Sequence, residues 1–191
     1  MLTRFNNYNP VELIQKPLNL LNIKGYLPES GYVLLLCSKR MAKTETIKNI
    51  LDFKKESFIL CDKILPNPDL DLLDYLTSDL RNKNIKLIVC IGGGSIIDAG
   101  KSLSLSLCID RENIFSQYFR QNLKVNWDNK IPCMAIPTTS GTGSEFTQFA
   151  TIWSKSEQKK YSLEHSLVYP NYSLLDPSLT MTLSHDETLF G

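Results

Sequence analysis

The chain has 191 residues, 42% of them hydrophobic and 21% charged, with a formal net charge of +1. That length supports one domain with a proper core, and a near-neutral balance without blocks of like charge argues against a nucleic-acid or membrane-surface partner. The opening segment Met1–Asn7 is polar where a signal peptide needs an apolar core, and no apolar stretch reaches bilayer length, so the expected setting is soluble and cytoplasmic. Cys37, Cys61, Cys90, Cys108 and Cys133 have no metal-like spacing and read as small buried apolar residues.

In chain order, Tyr32–Cys37 is a continuous apolar run, the pattern of a strand buried on both faces. Ala42–Leu51 reads as a helix, Ser57–Leu60 as a short strand, and Pro66-Asn67-Pro68 as a rigid break. Leucines at 70, 73, 76 and 80 follow helical spacing from Asp69 to Lys83. Leu87–Ile91 is the third strand, Ile96–Leu107 the helix that follows it, and Ile131–Ile136 a fourth strand closed by Pro137. Phe149–Trp153, Leu167–Tyr169 and Leu174–Leu175 are short strand-like pieces ahead of the Asp176-Pro177 turn. Strands alternating with helices predict an α/β fold, a parallel sheet flanked by helices, in one domain spanning residues 1–191. Right-handed crossovers then bring the C-terminal ends of the strands to one edge.

Two loops fall at that edge. In Gly92-Gly93-Gly94-Ser95 a strand meets a helix through a turn bare of side chains, and free N–H groups at a helix start favour phosphate. The P-loop pattern fails here. Counting back from Gly100-Lys101-Ser102, its first glycine belongs at Ser95, and Lys101 lies about two turns into the helix, pointing away from a phosphate at the N-terminus. The dinucleotide fingerprint G-x-G-x-x-G fails as well, because Ile97 stands where a glycine is required. Ser95 and Asp98 have the spacing of a capping box, and Asp98 reads either as that cap or as a carboxylate facing a ligand cleft. The second loop, Pro137-Thr138-Thr139-Ser140-Gly141-Thr142-Gly143-Ser144-Glu145, offers hydroxyls and glycines without a cation, which suits ribose, diphosphate oxygens or a carboxamide.

Taken together, Gly92-Gly93-Gly94-Ser95-x-x-Asp98-x-x-Lys101 and Pro137-Thr138-Thr139-x-Gly141-Thr142-Gly143-Ser144-Glu145 resemble the iron-containing (group III) alcohol dehydrogenases. Pro66-Asn67-Pro68 and Asp176-Pro177-Ser178-Leu179-Thr180 agree with the same family, and the resemblance runs from about Val33 to Gly191. It implies a Rossmann-like N-terminal domain of the dehydroquinate synthase-like superfamily, followed by a helical domain that holds Fe2+ or another divalent metal. It further implies that Gly93, Gly94 and Ser95, with Asp98 beside them, form the cofactor diphosphate site. Thr138, Thr139 and Thr142 would lie along the diphosphate and nicotinamide, with Asn67, Thr147, Lys160 and Leu179 completing the pocket. Lys155, Lys159 and Lys160 share one polar stretch, which reads equally as a solvated charge run.

Three departures from the family pattern stand out. Many members carry an aspartate at the end of the first strand, where this chain has Ser38 followed by Lys39 and Arg40, an exchange that favours NADP over NAD. Gln15-Lys16-Pro17 replaces a glycine-bearing turn. Gly191 matches the glycine just before the family's Gly-x-Asp-Ala-x-x-His metal motif, so the ligands are expected outside this sequence, and His165 and His185 have no metal-binding spacing. The expected function is the cofactor-binding half of an NAD(P)-dependent oxidoreductase acting on a small alcohol or aldehyde, with no catalytic acid or base in this chain. A non-catalytic nucleotide-binding module or partner subunit is the alternative. An apolar docking face for the helical half would also favour a homo-oligomer.

Overall fold

The computed structural model describes residues 8–181 and 183. The expectations for Met1–Asn7, for His185 and for Gly191 lie outside the described residues. Eight strands and six helices follow in the order β1 (Glu12–Gln15), α1 (Leu20–Ile23), β2 (Tyr32–Cys37), α2 (Lys39–Ala42), α3 (Glu45–Phe53), β3 (Phe58–Cys61) and α4 (Leu70–Leu80). Then come β4 (Ile85–Gly92), α5 (Gly94–Ser106), α6 (Ile114–Arg120), β5 (Cys133–Pro137), β6 (Phe149–Ser154), β7 (Lys159–Glu164) and β8 (Tyr172–Leu175). Six strands form one parallel sheet in the order β3-β2-β4-β5-β8-β1, and β6 and β7 pair as a separate antiparallel hairpin.

Side-chain alternation explains why the central strands are apolar throughout. Leu34, Leu36, Ile88, Cys90 and Ala135 face a core shared with α4, α5, α6 and the hairpin. Val33, Leu35, Leu87, Val89, Ile91, Met134 and Ile136 face a second core closed by Ile23 of α1 and by Ile47 and Ile50 of α3. The chain runs outward from β2 to β3, then crosses back over β2 to β4, and the covering helices change face. The gap between the C-terminal ends of β2 and β4 is therefore a topological switch point, where open α/β sheets place their ligands.

Several local expectations are corrected. The predicted helix Ala42–Leu51 is two pieces, α2 and α3, because Thr44 interrupts: its hydroxyl donates to the Met41 carbonyl at 2.8 Å and accepts from the Ile47 N–H that opens α3. Leu167–Tyr169 is a 3₁₀ turn at Ser166–Val168 rather than a strand, nucleated by the His165 ring, which accepts from the Leu167 N–H at 3.2 Å. Helix α6, with its N-cap Asn113 left-handed at φ 50°, starts where the carboxylate of Asp74 accepts from the Phe115 and Ser116 N–H groups at 2.8 and 3.0 Å. Asp74 is 3% exposed, and the two contacts satisfy a buried helix end from 41 and 42 residues away. All five cysteines are free, four of them buried. Among the described residues no helix is long and apolar enough to cross a membrane.

Candidate functional site

A cleft of about 860 Å³ opens over the C-terminal ends of β2 and β4. Its floor is the turn from β4 into α5. Gly93 is the N-cap of α5, and no side chain caps the helix. Ser95 is occupied elsewhere: its hydroxyl accepts the Asn67 N–H at 3.1 Å and docks the Pro66-Asn67-Pro68 loop on the first turn of α5. Asn67 holds a left-handed φ of 61°, which asparagine tolerates better than most residues. The Ser95–Asp98 capping box therefore does not form, and the first turn of α5, left without a side-chain cap, lines the cleft at Gly93, Gly94 and Ser95. Hydrogen-bond donors at the positive end of a thirteen-residue helix suit an anion.

The second loop closes over the first at van der Waals distance. A Cβ on Gly93 would stand 3.1 Å from Thr139 Cγ2, and one on Gly94 would stand 3.0 Å from both Cγ2 and Oγ1 of Thr142. Glycine at these positions lets the hydroxyls of the second loop reach the helix start, so the two motifs form one continuous wall. The Thr138 N–H donates to the Gly92 carbonyl at 3.0 Å and extends the β4–β5 ladder to the cleft edge.

Beneath that wall lies a buried charge. Lys101 on α5 has a fully buried side chain, and its ammonium donates to the Ser144 carbonyl at 2.8 Å, Ser144 Oγ at 3.1 Å, Thr147 Oγ1 at 3.2 Å and the Phe149 carbonyl. Asp98, one turn earlier, stands 3.5 Å from the ammonium. Its carboxylate accepts from Ser144 Oγ and, at 2.8 Å, from the Thr151 N–H of β6. Of the two readings open for Asp98, the helix cap does not form, and the carboxylate lines the cleft while tying the second loop to the hairpin. Burial pushes the Lys101 pKa below its ordinary value, and the Asp98 charge opposes that shift.

The hairpin forms the far wall. Phe149, Thr151 and Trp153 alternate toward the cleft along β6, and Lys160 on β7, the cross-strand partner of Trp153, holds its ammonium 5.8 Å from the centre of the Trp153 ring. Of the three lysines in that stretch Lys160 lines the cleft, whereas Lys159 turns to Glu157 at 4.0 Å. The hairpin is anchored from outside by Arg120 of α6, which contacts Asp71 at 2.7 Å and Glu157 at 2.9 Å. Arg120, with Ser154 and Tyr161, holds the Glu157 carboxyl at about 2.

Ser38, Asn67, Gly93, Gly94, Ser95, Asp98, Thr139, Thr142, Thr147 and Lys160 all line this cleft. Thr138 lies in the ladder beside it, and Leu179 packs against the second core, while Leu183 lines the cleft. Sequence reasoning included Ser144 in the second loop without singling it out and missed Leu65, Phe149, Thr151 and Trp153, although the period-two alternation of Phe149–Ser154 is the signal that locates three of them. Among the described residues no three His, Cys, Asp or Glu side chains converge as a metal site.

A parallel sheet with a glycine-floored, hydroxyl-walled cleft at its switch point defines a doubly wound α/β protein. The sequence model of the iron-containing alcohol dehydrogenases matches residues 10–177, and the chain belongs to that family. It is 28% identical over 191 residues to a long-chain primary alcohol dehydrogenase, AdhA, of Thermoanaerobacter ethanolicus, covering 98% of this chain and 46% of that protein. To a probable NADH-dependent butanol dehydrogenase of Bacillus subtilis it is 26% identical, covering 100% and 49%. The crystal structure of an iron-containing alcohol dehydrogenase of Thermotoga maritima superposes with a TM-score of 0.76 at 28% identity, over 95% of this chain and 50% of that one. The chain thus spans about half the length of the curated relatives it matches.

Proposed function

We propose that this chain binds a nicotinamide dinucleotide, NADP(H) in preference to NAD(H), as the cofactor half of an oxidoreductase that moves hydride between a small alcohol or aldehyde and that cofactor. The observation that carries the reading is the uncapped N-terminus of α5 opening into the switch-point cleft, roofed by Thr139 and Thr142. The residues fit such a cofactor: the uncapped first turn of α5 offers backbone N–H groups to a diphosphate, and the threonine hydroxyls brought against it supply donors around it. Thr147 and the Trp153–Lys160 pair offer a polar and an aromatic surface to the remainder of the molecule.

When bound, the nicotinamide ring supplies the hydride chemistry, and the residues here bind and orient it, a proximity effect. The family's metal finds no such fit among the described residues, and no step is assigned to it. Preference for NADP(H) rests on the mouth of β2. Ser38 lines the cleft and accepts from the Met41 N–H at 3.2 Å, and the exposed Lys39 and Arg40 follow it on α2. A 2′-phosphate meets a hydroxyl and two cations there, with Ser38 standing where many members of the family carry an aspartate.

Parallel calorimetric titrations of the chain with NADPH, NADH, ADP-ribose and ATP–Mg²⁺ test both statements. Both dinucleotides should bind, NADPH by about tenfold more tightly, equivalent to about 1.4 kcal/mol. Tighter NADH binding would overturn the preference, and binding of ATP–Mg²⁺ without either dinucleotide would overturn the whole reading.

A further inference from the structure

Lys101 is a buried titratable side chain that no P-loop or dinucleotide pattern accounts for. It contributes nothing to the cleft surface, yet three of its four hydrogen-bond acceptors belong to Ser144 and Thr147 of the second loop, and the fourth is the Phe149 carbonyl just after it. The backbone of that loop does little to fix itself. Apart from Thr138 to Gly92 at its root, its backbone–backbone bonds are the short-range pairs Phe146 to Gly143 at 2.9 Å and Thr147 to Ser144 at 3.4 Å, and from outside the exposed Asn9 Nδ2 donates to the Phe146 carbonyl at 3.0 Å. Helix α5, in contrast, is rigidly seated between β4 and the hairpin.

We propose that Lys101, paired with Asp98, is a positioning residue: its charge pins the second loop to α5 and thereby sets Thr139, Thr142 and Thr147 at the cleft. An ammonium with no access to water must find acceptors in the protein, and carbonyls and hydroxyls converging from the loop provide them. Asp98 completes the arrangement from the same helix face, accepting from Ser144 on the loop and from Thr151 on the hairpin. One helix thus presents its N-terminus to the cleft and, one to two turns later, an ion pair that locks the opposite wall. The role in cofactor binding rests on the function proposed above; the pinning of the loop does not.

Amide hydrogen exchange on the free chain separates the two. In Lys101→Met, which keeps an unbranched side chain one atom shorter and removes the charge, amides of residues 144–149 should exchange at least about tenfold faster while β4 and β5 keep wild-type protection. Lys101→Arg should recover most of that protection. NADPH affinity, measured on the same variants, should fall about tenfold in Lys101→Met and follow the loop's protection. Unchanged loop exchange in Lys101→Met, or an equal acceleration in β4 and β5, would overturn the proposal. If Lys101→Met yields no folded protein, Ser144→Ala removes the hydroxyl that links Lys101 and Asp98 to the loop, and the same two criteria decide. If the wild-type chain binds no dinucleotide, the proposed function fails while the exchange data still judge the pinning.

Discussion

The two loops that meet over the cleft are held by opposite means. The Gly92–Ser95 turn is shaped by its neighbours in sequence, a strand before it and a helix after it, and its use depends on side chains it lacks. The Thr138–Thr147 loop has no regular element beyond one 3₁₀ turn at Ser144–Phe146, and it is held by Lys101 and Asp98, more than 40 residues earlier. A floor made of backbone tolerates only the absence of side chains, whereas a wall made of side chains depends on a buried ion pair. The first should fail through added atoms and the second through lost charge.

Removing the charge that holds the second loop should have the largest effect. Asp98→Ala leaves the Lys101 ammonium buried without its carboxylate and strips the partner from Ser144 and from the Thr151 N–H, at a cost of about 3 kcal/mol in urea denaturation. A loss below about 0.5 kcal/mol, the level of ordinary surface substitutions, would mean that the pair is solvated and the contrast between the loops is wrong.

Added atoms beneath the first loop come next. A Cβ on Gly100, in the middle of α5, would lie 1.9 Å from Cys90 Sγ and 3.2 Å from Leu36 Cδ1. Gly→Ala inside a helix ordinarily stabilises by about 1 kcal/mol, but here overpacking should reverse the sign and destabilise by about 2 kcal/mol. Combining it with Cys90→Ala should restore most of the loss, because the sulfur occupies the space the new methyl needs.

At the junction of the loops, Gly94→Val should weaken NADPH binding by about tenfold while changing global stability by less than about 1 kcal/mol, since exposed Thr142 can yield. Parallel calorimetry and melting curves check it, and a stability loss matching the affinity loss would place Gly94 in the fold rather than in the wall.

The smallest effect concerns the hairpin beyond the second loop. Glu157 titrates at about 2 in the folded chain against about 4.3 for a free glutamate, so the unfolded chain takes up the proton first as pH falls. Its contribution is complete above the unfolded value and disappears as pH drops through about 2. The melting temperature should therefore decline between pH 5 and 2 more steeply in the wild type than in Glu157→Gln, and the difference should shrink in high salt. Parallel curves would remove the Arg120–Glu157 pair from the account of how the hairpin is anchored.

Legibility in the sequence followed the same division. Tyr32–Cys37 matched β2 at both ends, and the helices over Asp69–Lys83 and Ile96–Leu107 were recognisable because each has its apolar period written within a few turns. Helix α6 escaped notice because its start is satisfied by Asp74 across the molecule, and β1 and β7 because short strands with one exposed face carry little apolar signal. Ser95 and Asp98 looked like a local cap, yet both side chains turned outward to other loops, where long-range partners competed successfully with the helix end.

By itself, then, the sequence determined the parallel α/β class and the glycine-floored turn, because these follow from local periodicity and from residue types with few conformational alternatives; the two distant motifs were joined by their resemblance to one family. Only the tertiary structure decided what Lys101 does, which of three lysines reaches the cleft, and that Leu183 lines it where Leu179 does not. Burial removes water as a partner. A charged or polar side chain must then find its acceptors wherever the fold brings them, at a separation in sequence that no local pattern records.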